Sequence, residues 1–447
     1  MPPSETAPGR LLRGIWNALE RPESELSGAV GPRHPVPLPA HTDVPALAWS
    51  AVAAASCAAA SLTGRAVHTV DPDRVAVAYR SRVEIDGVEP AMFSPMSGFF
   101  RTVDGWVRTH ANYPHHSAAL RLGFGLSETA TREQFAERLI ALPTDQAVEL
   151  ARRAGALCVP VRTENPREDE RLRSAPVIEL RHLADAEPRP LPGRSAHAPL
   201  RGVRVLDLTR VIAGPVGTRT LAFLGADVLR IDPPHLPELE PQHFDTGHGK
   251  RSALLDLASP EGLRRFDELL ADADVVALGY RPSGLTRLGI TPHALARQRP
   301  GLIVAQHSAW SDPDRRGFDS LVQPASGIAL VEGTPEAPGT LPVQALDHTT
   351  GYLLAAGVMT ALARRSAEGG SWLVSTSLRR IAAELLGLPH SPTVRAAQAP
   401  SWERHSQTFE VDGRRITTAA PAIAYPGGPS RFRAPRPWGG DRAEWSA

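Results

Sequence analysis

Asp347 heads a long apolar helical pattern, and it is the acid whose position most invites chemistry. Residues 341–378 read LPVQALDHTTGYLLAAGVMTALARRSAEGGSWLVSTSL. Thr349, Thr350 and Gly351 follow the acid, and apolar residues continue at helical spacing through Leu362. Arg364, Arg365 and the Glu368-Gly369-Gly370 break close the helix, and a strand pattern follows at 372–375. An Asp at a helix start caps free backbone N–H groups, and the helix dipole favours its anion. Other clusters are thinner. His110, His115 and His116, and His243 with His248, lack the convergent Cys or acid partners of a structural metal site, so no metal is expected. Gly214-Pro215-Val216-Gly217 lacks the dinucleotide glycine spacing. No Gly-Lys-Ser/Thr loop or Gly-x-Ser-x-Gly elbow occurs, so neither NAD nor ATP is expected.

The whole chain bounds what these residues serve. It has 447 residues and a net charge of +1, which argues against a bulk nucleic-acid binder. Two cysteines, Cys57 and Cys158, exclude a disulfide framework and fit a reducing compartment, hence a cytoplasmic location. The first residues lack the apolar core of a signal peptide. Residues 44–62 are about long enough to span a membrane. They are mostly Ala and Ser, so a buried helix is expected and no membrane partner.

The elements that must position Asp347 lie in a βαβ pattern. Strand runs at 203–208, 226–231, 275–278 and 302–305 alternate with helical runs from Gly214 to Leu224 and from Ser259 to about Ala273. Ser259 suits the N-cap and Pro260 the first helical position. Such parallel sheets bind ligands beyond the carboxyl ends of their strands. Upstream, 98–107 reads as two strands around an Asp-Gly turn, followed by helices at 115–122, 132–142 and 145–154. Residues 157–161 read as a strand, 175–180 as extended chain, and 184–199 as a Pro- and Arg-rich linker. The order of a small-residue helix, a Gly-bearing turn, a strand at 66–70 and a helix at 73–79 echoes the order at 347–387, which indicates an internal repeat.

The run GVRVLDLTRVIAGPVGTRTLAFLGADVLRIDP at 202–233 resembles the opening of class III CoA-transferases, a family that includes formyl-CoA, carnitine and bile-acid CoA-transferases and the related α-methylacyl-CoA racemases. The likeness continues in order. It takes in Gly249-Lys250-Arg251-Ser252 with Ser259-Pro260-Glu261-Gly262, then Tyr280-Arg281-Pro282 with Arg287-Leu288-Gly289. Gly317-Phe318-Asp319 with Gln323 comes next, and Asp347 with Gly351 completes it. The resemblance implies an α/β fold: a parallel-sheet Rossmann-like large domain with helices on both faces, a smaller α+β domain, and an interlocked architecture. It implies that Asp347 is a nucleophile passing through aspartyl anhydride and aspartyl-CoA intermediates. Covalent catalysis of this kind splits one hard step into easier ones. It implies that CoA runs along Arg210, Val211, Ile212 and Ala213, with Leu255 and Leu257 on the adenine side. Gly279, Tyr280, Arg281, Arg287 and Leu288 complete the CoA segments, and Arg287 is the expected phosphate partner.

The activity that the resemblance implies is transfer of coenzyme A from an acyl-CoA donor to a small carboxylic acid, with the thioester as substrate and no other cofactor. The family's racemases carry a His within the Gly-x-Asp motif, where this chain has Phe318, so racemisation is the lesser reading. A second alternative is a non-catalytic acyl-CoA-binding or partner-stabilising paralogue. The loop at 308–317 is short, and Pro233-Pro234 replaces a common basic residue. Residues 85–183 resemble the family's small domain, so the chain reads as two truncated copies in tandem, forming a homodimer or an intrachain pseudo-dimer. The expected divisions are a degenerate large-domain fragment (1–84), a small α+β domain (85–183), a linker (184–199), the CoA-binding domain (200–390) and a return segment (391–447). Asp43 falls near the position equivalent to Asp347, and capping is its expected role.

Overall fold

The computed structural model describes residues 6–26, 31–65, 70–193, 195–394 and 396–446. The strand expected at 66–70 lies largely outside them. In chain order the strands are β1 (Val83–Ile85), β2 (Gly98–Arg101), β3 (Trp106–Thr109), β4 (Cys158–Pro160) and β5 (Glu179–Ala184). Then come β6 (Arg204–Leu208), β7 (Asp227–Asp232), β8 (Arg251–Leu254), β9 (Val275–Leu278) and β10 (Ile303–Ser308). The last are β11 (Ser371–Ser377), β12 (Ser406–Val411) and β13 (Arg414–Ala419).

Seven strands form one sheet in the order β5-β11-β10-β9-β6-β7-β8, all parallel except β5, which runs antiparallel to β11. The α/β expectation therefore holds. The buried Val and Leu runs of β6, β9 and β10 are what a sheet covered on both faces requires. Ser259 accepts from the Gly262 N–H and starts the helix Pro260–Leu270, as its sequence indicates. Strand β8 and the short helices Glu240–Thr246 and Pro292–Gln298 are additions that the periodicity does not reveal.

The central helix Ala345–Glu368 runs through the core and ends where Gly369 takes φ 81°. Arg365, fully buried in its last turn, donates to Asp274 Oδ1 at 2.9 Å, which sets a cation at the negative end of the helix dipole. The helix Val44–Leu62 packs against this central helix, and both belong to one core cluster. It is apolar all round and almost wholly buried, and it is the one helix among the described residues long and apolar enough to cross a membrane. Asp43 caps it, accepting from the Ala46 N–H at 3.1 Å, as expected.

The expected divisions shift in two places. Within the expected large-domain fragment at 1–84, the helix Val44–Leu62 belongs to the core of the large sheet, and the shifts lie at the boundaries. Strand β1 crosses the 84/85 boundary to pair with β13 of the return segment. The 183/184 boundary likewise falls inside β5, because that strand completes the large sheet beside β11. Strands β2, β3 and β4 form a separate sheet with its own core around Phe100, Phe135 and Leu139.

Candidate active site

Asp347 does not cap its helix. The N-cap residue is Gln344, and the helix's free N–H groups are met by another acid. Asp319 Oδ2 accepts from the N–H of Leu346 at 2.9 Å and of Asp347 at 3.0 Å. Its Oδ1 accepts from Gln323 Nε2 at 2.6 Å, and Gln323 Oε1 accepts from the Leu341 N–H at 2.9 Å. The Gly-Phe-Asp block thus fixes the start of the central helix. The Asp347 carboxylate, relieved of capping, has no hydrogen-bond partner among the described residues and lines a cavity of about 300 Å³. Burial, and then the Asp319 charge, push its pKa well above the usual carboxylate range. Burial likewise pushes Asp319 up to about 6, against the hydrogen bonds it accepts. The expectation that the helix start favours the Asp347 anion is corrected here: the favourable N–H groups serve Asp319.

The loop after β6 forms the opposite wall. Val211 takes φ 69°, which is strained for a β-branched residue. Its N–H donates to Glu238 Oε2 at 3.0 Å, and Arg230 donates to the same oxygen at 2.8 Å. Tyr113 from the small domain donates to Glu238 Oε1. Burial opposes ionisation of Glu238, but Arg230 and Arg210 outweigh it and hold the carboxyl at about 2. Lys250 Nζ lies below this loop, donating to Asp207 Oδ2 at 3.0 Å, Thr218 Oγ1 at 2.7 Å and Pro215 O at 2.9 Å. Burial pushes that ammonium down to about 8. Gly351 lets the two walls meet: a Cβ there would stand 2.6 Å from Ala213 O and 2.6 Å from Val216 Cβ.

Most of the expected site residues converge. Arg210, Val211, Ala213, Gly279, Tyr280 and Arg281 line the Asp347 cavity. Leu255, Leu257 and Leu288 line a neighbouring apolar cavity of about 260 Å³, and Tyr280 and Arg281 belong to both. Pro233 and His235 line that second cavity, at the place where a basic residue is common in the family. Two residues depart. Ile212 turns into the core, so only its backbone can serve a ligand. Arg287 is exposed and lines neither cavity. Phe318 lines the Asp347 cavity and stacks on His110 at 3.8 Å between centroids. His348 faces away, its Nε2 lying 2.8 Å from Ser81 Oγ.

Sequence reasoning missed Glu238, His307 and the capping role of Asp319. Asp319 opens its own helix but caps the later one, so no local signal in the sequence could have found that role. His115 and His116 stand out in the sequence only as candidate metal ligands, yet both line the cavity from the small domain.

The fold is that of an α/β protein with two adjoining cavities that share Tyr280 and Arg281. The chain belongs to CoA-transferase family III, whose sequence model matches residues 200–423. It is 30% identical over 213 residues to a probable fatty acyl-CoA transferase of Mycobacterium tuberculosis, covering 44% of this chain and 54% of the relative. It is 31% identical to the beta subunit of a succinyl-CoA–L-malate CoA-transferase of Chloroflexus aurantiacus, covering 42% and 50%. A crystal structure of a CAIB/BAIF family protein from Brucella suis is 27% identical and covers 49% of this chain and 65% of that one, with a TM-score of 0.40. The chain spans about half the length of the first two relatives.

Proposed function

We propose that this protein transfers coenzyme A from an acyl-CoA donor to a carboxylic acid, with Asp347 as the nucleophile. The observation that carries this reading is the freed carboxylate: Asp319 takes the helix N–H groups, and Asp347 is left facing a cavity. That cavity continues past Tyr280 and Arg281 into an apolar one suited to an adenine. In the proposed sequence an Asp347 oxygen attacks the thioester carbonyl, the C–S bond breaks, and an anhydride and CoA thiolate form. The thiolate attacks the aspartyl carbonyl and releases the donor carboxylate, leaving aspartyl-CoA. The acceptor carboxylate attacks that thioester and expels the thiolate. The thiolate then takes the acceptor acyl group and frees Asp347. Every step forms one bond and breaks one, and no net proton is consumed.

The tandem reading is likewise a proposal. Its support is the echo of the Asp43-capped helix and the helix Pro72–Tyr79 in the later half, together with small-domain residues that line the Asp347 cavity within the same chain. The test is mass spectrometry after incubation with a panel of acyl-CoAs and trapping with hydroxylamine or borohydride. A modification at Asp347, absent in Asp347→Ala, is the expected result. CoA binding without any adduct would instead support the binding-paralogue reading.

A further inference from the structure

The Asp347 cavity holds polar groups that the proposed transfer leaves idle. His116, near the start of the helix Pro114–Gly123, is only 7% exposed, and its Nδ1 has no hydrogen-bond partner. His307, near the end of β10, likewise has an enclosed Nδ1 without a partner. Both rings line the cavity that Asp347 lines. Both are also held in place. His116 packs edge-on against Phe318 at 5.8 Å and against His115 at 4.1 Å. Gly279 leaves room for His307, since a Cβ there would stand 2.9 Å from its Cε1. Enclosed polar atoms without partners are costly and are normally satisfied. Tyr280 Oη and Arg210 Nε, of residues lining the same cavity, are likewise enclosed and without partners. Four such atoms around one carboxylate point to a ligand that supplies the partners.

Charge narrows the ligand. Asp347 is the one acid among the described residues lining the cavity; Arg210 there is paired with Glu238, which leaves Arg281 and Arg316 as the cations in excess. Arg316 donates to Gly155 O and has no carboxylate partner among the described residues. Burial holds His116 at about 3 and His307 at about 4, so at neutral pH each ring offers one N–H and one acceptor nitrogen. The volume of about 300 Å³ lies at the lower end of the range for ligand pockets.

We propose that the acyl group handled at Asp347 is short and carries its own oxygen function, a carboxylate or a hydroxyl, that pairs with His116 and His307. This deepens the transferase reading and rests on it. The discrimination should be large, because a site built to hydrogen-bond a substrate rejects the analogue that lacks the group. A purely apolar pocket separates neighbours by a methylene only weakly.

The test compares four-carbon CoA thioesters on the full chain: butyryl-CoA, 3-hydroxybutyryl-CoA and succinyl-CoA, with free CoA as the reference and calorimetry as the readout. An oxygenated probe should bind at least about tenfold more tightly than butyryl-CoA. Preference for succinyl-CoA assigns a carboxylate, which the arginine excess favours; preference for the hydroxy probe assigns a hydroxyl. His116→Phe and His307→Leu should each narrow the gap to butyryl-CoA while leaving free CoA affinity unchanged. Equal binding of all three probes by the unmodified chain, or tighter binding of octanoyl-CoA, overturns the proposal without any variant being needed. A preference for the oxygenated probe without an Asp347 adduct would sink the transferase reading and keep the specificity. Failure of free CoA to bind would end both.

Discussion

The backbone N–H of Asp347 donates to Asp319 Oδ2 at 3.0 Å, so a second acid caps the helix that the first one heads. This places two buried carboxyls side by side, and each makes the other harder to ionise. Asp347 must be an anion to attack a thioester. Adduct formation should therefore rise with pH along a limb above the ordinary carboxylate range, because burial and Asp319 raise the Asp347 pKa. Asp319→Asn keeps an oxygen for the two N–H groups and removes the charge. Its limb should move to lower pH, at a cost of about 1 kcal/mol in stability. Adduct yield measured between pH 5 and 8 checks this, and an unmoved limb would mean that burial alone sets the ionisation.

Gly351 is where the central helix meets the helix Ala213–Phe223, with no room for a methyl group. Gly351→Ala should cost about 1–3 kcal/mol by overpacking and displace the 210–213 loop. Gly14, in the helix Ala7–Ala18, has open space where its Cβ would be. Gly14→Ala should be neutral or stabilising by up to about 1 kcal/mol. Urea midpoints for the two variants separate these outcomes.

Local pattern made the sheet legible. Alternation of strand and helix from Val203 to Ala305 located β6, β7, β9 and β10, and Ser259-Pro260 located a helix start. Gly279 and Tyr280, expected from the family resemblance, follow β9 directly and line the Asp347 cavity. What the sequence concealed is nonlocal. Asp319 caps a helix that begins 26 residues later, and Glu238 collects bonds from Tyr113, Val211 and Arg230. No spacing rule links such positions, because tertiary folding alone brings them together. Arg287, the expected phosphate partner, stays at the surface and lines neither cavity.

Buried histidines give the fold a pH signature. Burial pushes His110, His116 and His348 down to about 3. In the unfolded chain they take up protons near pH 6.5. Between pH 6.5 and about 3 the unfolded state therefore binds more protons, so their contribution is complete above pH 6.5 and is lost as pH falls through this window. Asp319, raised to about 6, and Asp347, raised well above the usual carboxylate range, act with the opposite sign above about pH 4 and offset part of the loss. His243 and His307, pushed down to about 4 by burial, act with the three rings. Together the histidines outnumber the two acids, so the urea midpoint should fall from pH 7 to pH 5. A midpoint that rises over this interval would contradict the neutral, buried state of these rings.

Tyr79 ties the N-terminal part of the chain to the first turns of the central helix. Its hydroxyl lies 3.2 Å from Thr349 Oγ1, and its ring stacks on His348 at 4.9 Å and on Tyr352 at 5.9 Å. These contacts brace the turn that carries Asp347 from the side opposite the cavity. Tyr79→Phe keeps the ring and should cost about 1 kcal/mol. Tyr79→Ala leaves a cavity and should cost about 3–5 kcal/mol. If residues 1–84 act as a structural support for the site, adduct formation should drop in Tyr79→Ala at temperatures where the chain is still folded, while Tyr79→Phe stays near the unmodified protein. Equal adduct yields in a folded Tyr79→Ala would show that the N-terminal segment stabilises the fold without holding the position of Asp347.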